Sequence, residues 1–136
     1  MNDKIINYIV WLLMSLMFGY FAFTKGWILN DFENISIDEA KALIEQDKSL
    51  VILDVRSKDE YQKDYIAHAI NTPFVTLEQN VTHLNPFKSN KILVYSERGE
   101  RSVKASRLLS QYGFDIIHLK GGMVFWIRKG YEVSRP

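Results

Sequence analysis

The sequence predicts an α/β domain, a parallel sheet flanked by helices, preceded by one transmembrane helix. Three observations carry this. Residues 5–23 form an uninterrupted uncharged run, IINYIVWLLMSLMFGYFAF. Beyond it, short apolar runs (Leu50–Leu53, Ile92–Tyr95, Ile116–Ile117) alternate with stretches of helical periodicity. Continuous apolar runs of that length read as strands covered on both faces, and their alternation with helices reads as a parallel sheet. Two of the helices are also announced by Ser-x-x-Glu capping boxes, at Ser36–Glu39 and Ser57–Glu60.

The totals narrow the function classes. The chain has 136 residues and a net charge of +1, so no basic surface points to nucleic acid. It contains no cysteine, which excludes disulfides, thiolate metal sites and a cysteine nucleophile. No metal or cofactor is expected, and no protein partner can be named. The composition divides the chain into residues 1–29, an anchor and tether, and residues 30–136, a soluble domain long enough to bury a core.

The run over residues 5–23 would span about 28 Å as a helix, close to the thickness of a bilayer's hydrocarbon core. Lys4 and Lys25 bracket it, and Tyr20 and Trp27 suit an interfacial belt. No small-x-small cleavage site follows, so an uncleaved membrane anchor is expected rather than a signal peptide. The flanking charges favour, by about one charge, a cytoplasmic N-terminus with the domain on the non-cytoplasmic side.

A tether from Trp27 to Glu33 leads to a small strand at Asn34–Ile35. The first capping box starts a helix with Ile37, Ala40, Leu43 and Ile44 on one face, fading at Gln46. The strand Leu50–Leu53 ends in Asp54-Val55-Arg56, and the second capping box starts a short helix with Tyr61 and Tyr65 inward. Ala69–Thr72 reads as a short strand stopped by Pro73. Thr76 with Gln79 is expected to cap another helical turn, ended by Leu84-Asn85-Pro86. After the strand Lys91–Tyr95, a helix is predicted from Ser102 to Tyr112, with Ala105, Leu108, Leu109 and Tyr112 inward and Gly113 as its stop. Asp115–His118 is a fourth main strand, Gly121-Gly122 a turn, and Met123–Lys129 a short helix burying Phe125 or Trp126.

Sites in an open parallel sheet lie at the carboxyl ends of its strands. The candidates there are Asp54, Arg56, Asn71, Thr72, Ser96 with its loop, and His118. The stretch KILVYSERGERS (91–102) stands out, because a strand, a tight polar loop and a helix start can direct several N–H groups at one anion. Ser96 sits where such a cradle holds a nucleophile; Glu97, Arg98, Gly99, Glu100, Arg101 and Ser102 form the loop. Arg98 is expected to face a ligand and Arg101 to be tied to the helix start. Asp54 and Arg56 are expected to brace loop backbone.

Several motifs resemble the rhodanese-like family. ILDVRSKDEY (52–61) is similar to its Asp-x-Arg strand end and Glu-Tyr helix, and VYSERGERSVKASRLLSQYGF (94–114) to its active-site loop and following helix. HLKGGMVFWIRKGYEV (118–133) resembles its closing Gly-Gly, Trp and Gly-Tyr signature. YIAHAINTP (65–73) matches less well: Asp64 and Tyr65 stand where Gly and His are usual, and His68 where a second Gly is usual. The resemblance implies a loop that begins with a cysteine, which takes sulfane sulfur as a persulfide and passes it to an acceptor. Ser96 is then the oxygen analogue of that cysteine, at the position of the family nucleophile, and is expected to be inactive in sulfur transfer.

Two functions follow as expectations. One is a membrane-anchored module that keeps an anion-binding loop for thiosulfate, sulfate or phosphate and has lost sulfurtransferase turnover. The other is a thiosulfate or persulfide sulfurtransferase whose cysteine was substituted. A phosphatase-like loop of the same fold family, one residue longer and also dependent on cysteine, fits less well. A serine hydrolase would need a base within hydrogen-bond reach of Ser96. His68 and His83 fall at the wrong edge, and His118 is expected as a partly exposed strand end without a bond to Ser96.

Overall fold

The structure, a computed structural model, describes residues 2–24 and 32–136. Lys25 and Trp27, assigned above to the flank of a membrane span, lie outside the described residues, as does most of the tether. The chain divides into two units, Met1–Asp31 and Phe32–Pro136.

In the first unit, α1 (Asp3–Thr24) is a single helix, long and apolar enough to cross a membrane. The expected tether ends earlier than Glu33. Phe32 is buried in the domain core and Glu33 already belongs to β1 (Glu33–Ile35).

The second unit is a five-stranded, wholly parallel sheet in the order β1-β5-β4-β2-β3. Its other strands are β2 (Val51–Asp54), β3 (Ile70–Asn71), β4 (Lys91–Tyr95) and β5 (Asp115–Leu119). Side chains alternate across each strand and sort into two cores. On one face Leu53, Ile92, Val94 and Ile116 pack with Ala105 and Leu109 of α5 (Glu100–Gln111). On the other, Ile52, Leu93, Tyr95, Ile117 and Leu119 pack with α2 (Ile37–Gln46) and with Met123 and Trp126 of α6 (Gly122–Arg128).

Both capping boxes form, at the starts of α2 and of α3 (Lys58–Lys63). The expectations for residues 74–87 need correction. The short helix α4 (Phe74–Leu77) starts directly after Pro73, and Thr76 lies inside it instead of capping it. A 3-10 helix (Glu78–Phe87) then runs through Pro86, which loses one N–H donor there without ending the turn. Helix α5 begins at Glu100, two residues before the expected Ser102, because Gly99 turns the chain at φ +110°. Its buried stripe is Ser102, Ala105, Ser106 and Leu109; Leu108 is only partly covered and Tyr112 is exposed. The α5 C-terminus closes as a Schellman motif around Gly113, with Phe114 N–H donating to Leu109 O and Gly113 N–H to Ser110 O. In α6, Trp126 is buried and Phe125 exposed.

Candidate active site

The site lies where β4 leaves the sheet. Ser96 follows the strand directly and is buried, with 1% of its surface exposed. The loop then doubles back so that two of its N–H groups face Ser96. Gly99 and Ser102 both donate main-chain N–H bonds to Ser96 Oγ at 3.1 Å. The Ser96 hydroxyl in turn donates to Ser102 Oγ at 3.0 Å.

Helix α6 holds this shape from behind. Met123 N–H donates to Ser96 O at 2.9 Å and Val124 N–H to Glu97 O at 3.0 Å. The first carbonyls of the loop are thereby bound on the side of α6. Gly122 permits the approach: its φ is +60°, and a Cβ there would overlap the Ser96 carbonyl oxygen. The N–H groups of Glu97, Arg98, Glu100 and Arg101 have no acceptor within the described residues.

The charged residues of the loop have distinct surroundings. Arg101 makes a two-pronged bond to Glu60, Nη1 to Oε2 and Nη2 to Oε1, both at 2.8 Å. It is therefore tied to the start of α3 and not, as expected, to its own helix start. The Arg101 guanidinium holds the Glu60 carboxyl at about 2, well below the usual carboxylate range. Glu97 accepts from Arg56 Nη1 at 3.0 Å. Arg98 and Glu100 are exposed and have no ion-pair partner among the described residues. A pocket of about 210 Å³ opens between Glu60, Ser96, Glu97, Arg98, Glu100 and Arg101. A larger groove of about 670 Å³ lies between Asp38, Lys120, Phe125 and Arg128, away from Ser96.

Beneath the loop, Asp54 and Arg56 form a buried ion pair, with Arg56 Nη2 2.8 Å from Asp54 Oδ2. Arg56 also bonds the main-chain oxygen and the carboxylate of Asp64. Burial alone would lower the Arg56 pKa; the Asp54 carboxylate outweighs it and holds the group above its ordinary value. Asn71 donates to Asp54 O at 3.0 Å and to Arg56 O at 2.9 Å, bracing the same turn. The pair thus braces backbone as expected, and through Glu97 it also reaches the loop. The Thr72 main-chain N–H donates to Asp54 O, so Thr72 belongs to this bracing as well.

His118 differs from the expectation. It is buried, 3% exposed, and not a partly exposed strand end. Its Nε2 lies 2.8 Å from Ser102 Oγ and its Nδ1 2.8 Å from Asn34 Oδ1. The parity of β5 was the available signal: His118 shares a face with Ile116, the face covered by α5. His118 does not touch Ser96 directly; Ser102 stands between them. His68 and His83 are exposed and take no part in the site.

Comparison with known proteins gives a consistent set of relatives. A family model described as the rhodanese-like domain matches residues 36–129. YrkF of Bacillus subtilis, named for a sulfur-carrier role, is 33% identical over 96 residues, which cover 70% of this chain and 51% of YrkF. The thiosulfate sulfurtransferase PspE of Escherichia coli is 30% identical over 71 residues, 52% of this chain and 68% of that protein. A rhodanese-related protein of Thermoplasma volcanium, known as a crystal structure, is 30% identical with a TM-score of 0.70 over 77% of this chain and 100% of its own. The chain spans about half the length of YrkF and about a third or less of some other curated relatives.

Proposed function

Because this chain belongs to the rhodanese-like domain family, we propose that it is a membrane-anchored module that binds a small anion in the loop around Ser96 without sulfur transfer. Ser96 stands at the position of the family's persulfide-forming cysteine. The observation that carries this reading is the pair of N–H bonds from Gly99 and Ser102 to Ser96 Oγ, in a chain without cysteine. Such a cradle stabilises an anionic nucleophile and lowers its pKa when the nucleophile is a thiol. A serine hydroxyl ionises far above neutral pH, and its oxygen cannot carry a persulfide. The two N–H bonds to Ser96 Oγ and the absence of cysteine support a loop that keeps the cradle and lacks the reacting atom.

The anion reading rests on the four N–H groups of the loop that have no acceptor, and on Arg98, which has no ion-pair partner, among the described residues. Arg101 is paired with Glu60, while Arg56 is shared among Asp54, Asp64 and Glu97, so Glu97 and Glu100 are the charges that oppose an anion at the rim. Thiosulfate, sulfate and phosphate are the candidates by size and charge. Titrating thiosulfate into the full chain in detergent should move the amide resonances of Glu97, Arg98, Glu100 and Arg101 before any others. Unchanged shifts at these four amides would contradict the anion site.

A second reading is favoured by the completeness of the cradle: this is a sulfurtransferase whose cysteine was replaced, with thiosulfate or a persulfide as donor. In both readings α1 anchors the protein in a membrane, with the domain on the non-cytoplasmic side. The length and apolar character of α1 support the anchor, and the flanking charges support the side.

A further inference from the structure

Four side chains join into one line of hydrogen bonds that starts at Ser96 and ends at the protein surface. Ser96 Oγ bonds Ser102 Oγ at 3.0 Å, Ser102 Oγ lies 2.8 Å from His118 Nε2, and His118 Nδ1 lies 2.8 Å from Asn34 Oδ1. The first three residues are buried and Asn34 is exposed. With its amide oxygen toward the ring, Asn34 can only accept, so a neutral His118 carries its proton on Nδ1. Nε2 is then the acceptor, the Ser102 hydroxyl donates to it, and Ser102 accepts from Ser96. The Gly99 carbonyl, 3.0 Å from Ser102 Oγ, is the competing acceptor. Each hydroxyl can pass a proton toward His118.

We propose that His118, acting through the Ser102 hydroxyl, is the proton acceptor for the group at position 96. His118 is a positioning residue here, since it reaches position 96 only through Ser102. The inference rests on the reading of Ser96 as the family's cysteine position. With serine, the alcohol is too weak an acid for net transfer, and the line holds Ser96 as a donor. With cysteine, the S–H bond breaks and its proton joins Ser102 Oγ, while the Ser102 proton moves to His118 Nε2. The products are a thiolate and an imidazolium, and no other reactant is needed. The Ser102 hydroxyl then points back to the thiolate, beside the N–H groups of Gly99 and Ser102.

The surroundings of the ring suit this role. Phe32 packs edge-on against it at 6.0 Å between centroids. The loop presents Gly99, α5 presents Ser102, and β1 presents Asn34. Burial lowers the His118 pKa, a main-chain contact with Gly99 opposes this, and Lys120 adds to the lowering. Lys120 is the charged group whose field reaches the ring; no carboxylate bonds it among the described residues. A neutral ring is therefore the resting state until an anion forms at position 96.

The test is an NMR titration of the His118 ring in the full chain in detergent, native and Ser96→Cys. The ring midpoint should lie below the ordinary 6.5 in the native chain and rise by about one pH unit or more in Ser96→Cys, a tenfold shift in ring protonation. Equal midpoints would overturn the proposal. In the Ser96→Cys chain, His118→Gln keeps an acceptor for Ser102 but cannot take a proton. Thiol alkylation at neutral pH should then slow about tenfold, and an unchanged rate would also overturn it. Sulfur transfer in Ser96→Cys, assayed in parallel, separates the two claims. Transfer with an unmoved ring midpoint refutes the relay alone, and a raised midpoint without transfer supports the relay while counting against the family reading of Ser96.

Discussion

Ser96 Oγ accepts two main-chain N–H bonds and donates one of its own, so its hydrogen bonding is complete inside the protein. As a neutral alcohol with each of these bonds made, Ser96 is a well-satisfied residue; the same N–H donors would favour an anion only at a group acidic enough to form one. His68, which stands where the resemblance to the family implies a glycine, is legible in the backbone. It is the one non-glycine with positive φ among the described residues, at +66°. The family's usual glycine avoids the clash that an L side chain suffers there. Replacing His68→Gly should raise stability by roughly 0.5–1 kcal/mol, the left-handed strain outweighing glycine's extra chain entropy. Denaturant unfolding checks this; a loss of stability would mean that the strain is relieved by contacts of the His68 side chain.

At the scale of elements, the loop is a product of its neighbours. α6 takes its carbonyls, α3 takes Arg101 through Glu60, and the turn after β2 takes Glu97 through Arg56. Glu60 is doubly used, since its carboxylate also closes the capping box at Ser57. Its depressed pKa makes the link acid-sensitive. The stabilisation is full above the ordinary value of 4.5 and disappears as the pH falls through about 2. Both partners are about one-third exposed, so solvent screens the pair and its contribution is about 1 kcal/mol. Glu60→Gln should cost about that much at neutral pH and flatten the stability profile between those two pH values. An acid profile identical to that of the native chain would place the acid sensitivity elsewhere.

The elements also mark what could be read from the chain. β2, β4 and β5 were legible because doubly buried strands are continuously apolar, and α2 and α3 because their capping boxes are local. Residues 74–87 are not, since the 3-10 run buries Val81 and Leu84 at a three-residue spacing, too few positions to set its period apart from that of an α-helix. The start of α5 lies two residues before the expected one because Gly99, not a side-chain cap, turns the chain. The loop around Ser96 was found from its strand-loop-helix grammar. The Asn34–His118–Ser102 line has no sequence signal, because its members are 84 and 16 residues apart and meet only through the order of the sheet.

At the scale of the whole molecule, an apolar helix precedes a domain with a complete fold of its own. If α1 is an anchor, the full chain should sediment with membranes and resist extraction by carbonate, while residues 32–136 should stay in the soluble fraction. A full chain found in the soluble fraction would remove the anchor. The domain then asks a single chemical question, whether an intact cradle lacks only its sulfur. Thiosulfate:cyanide sulfur transfer, measured for the native chain and for Ser96→Cys, answers it. The expected result is no turnover in the native chain and turnover in Ser96→Cys. Turnover with serine in place would contradict the claim that the reacting atom is missing, and inactivity of both would contradict the claim that the cradle is otherwise competent.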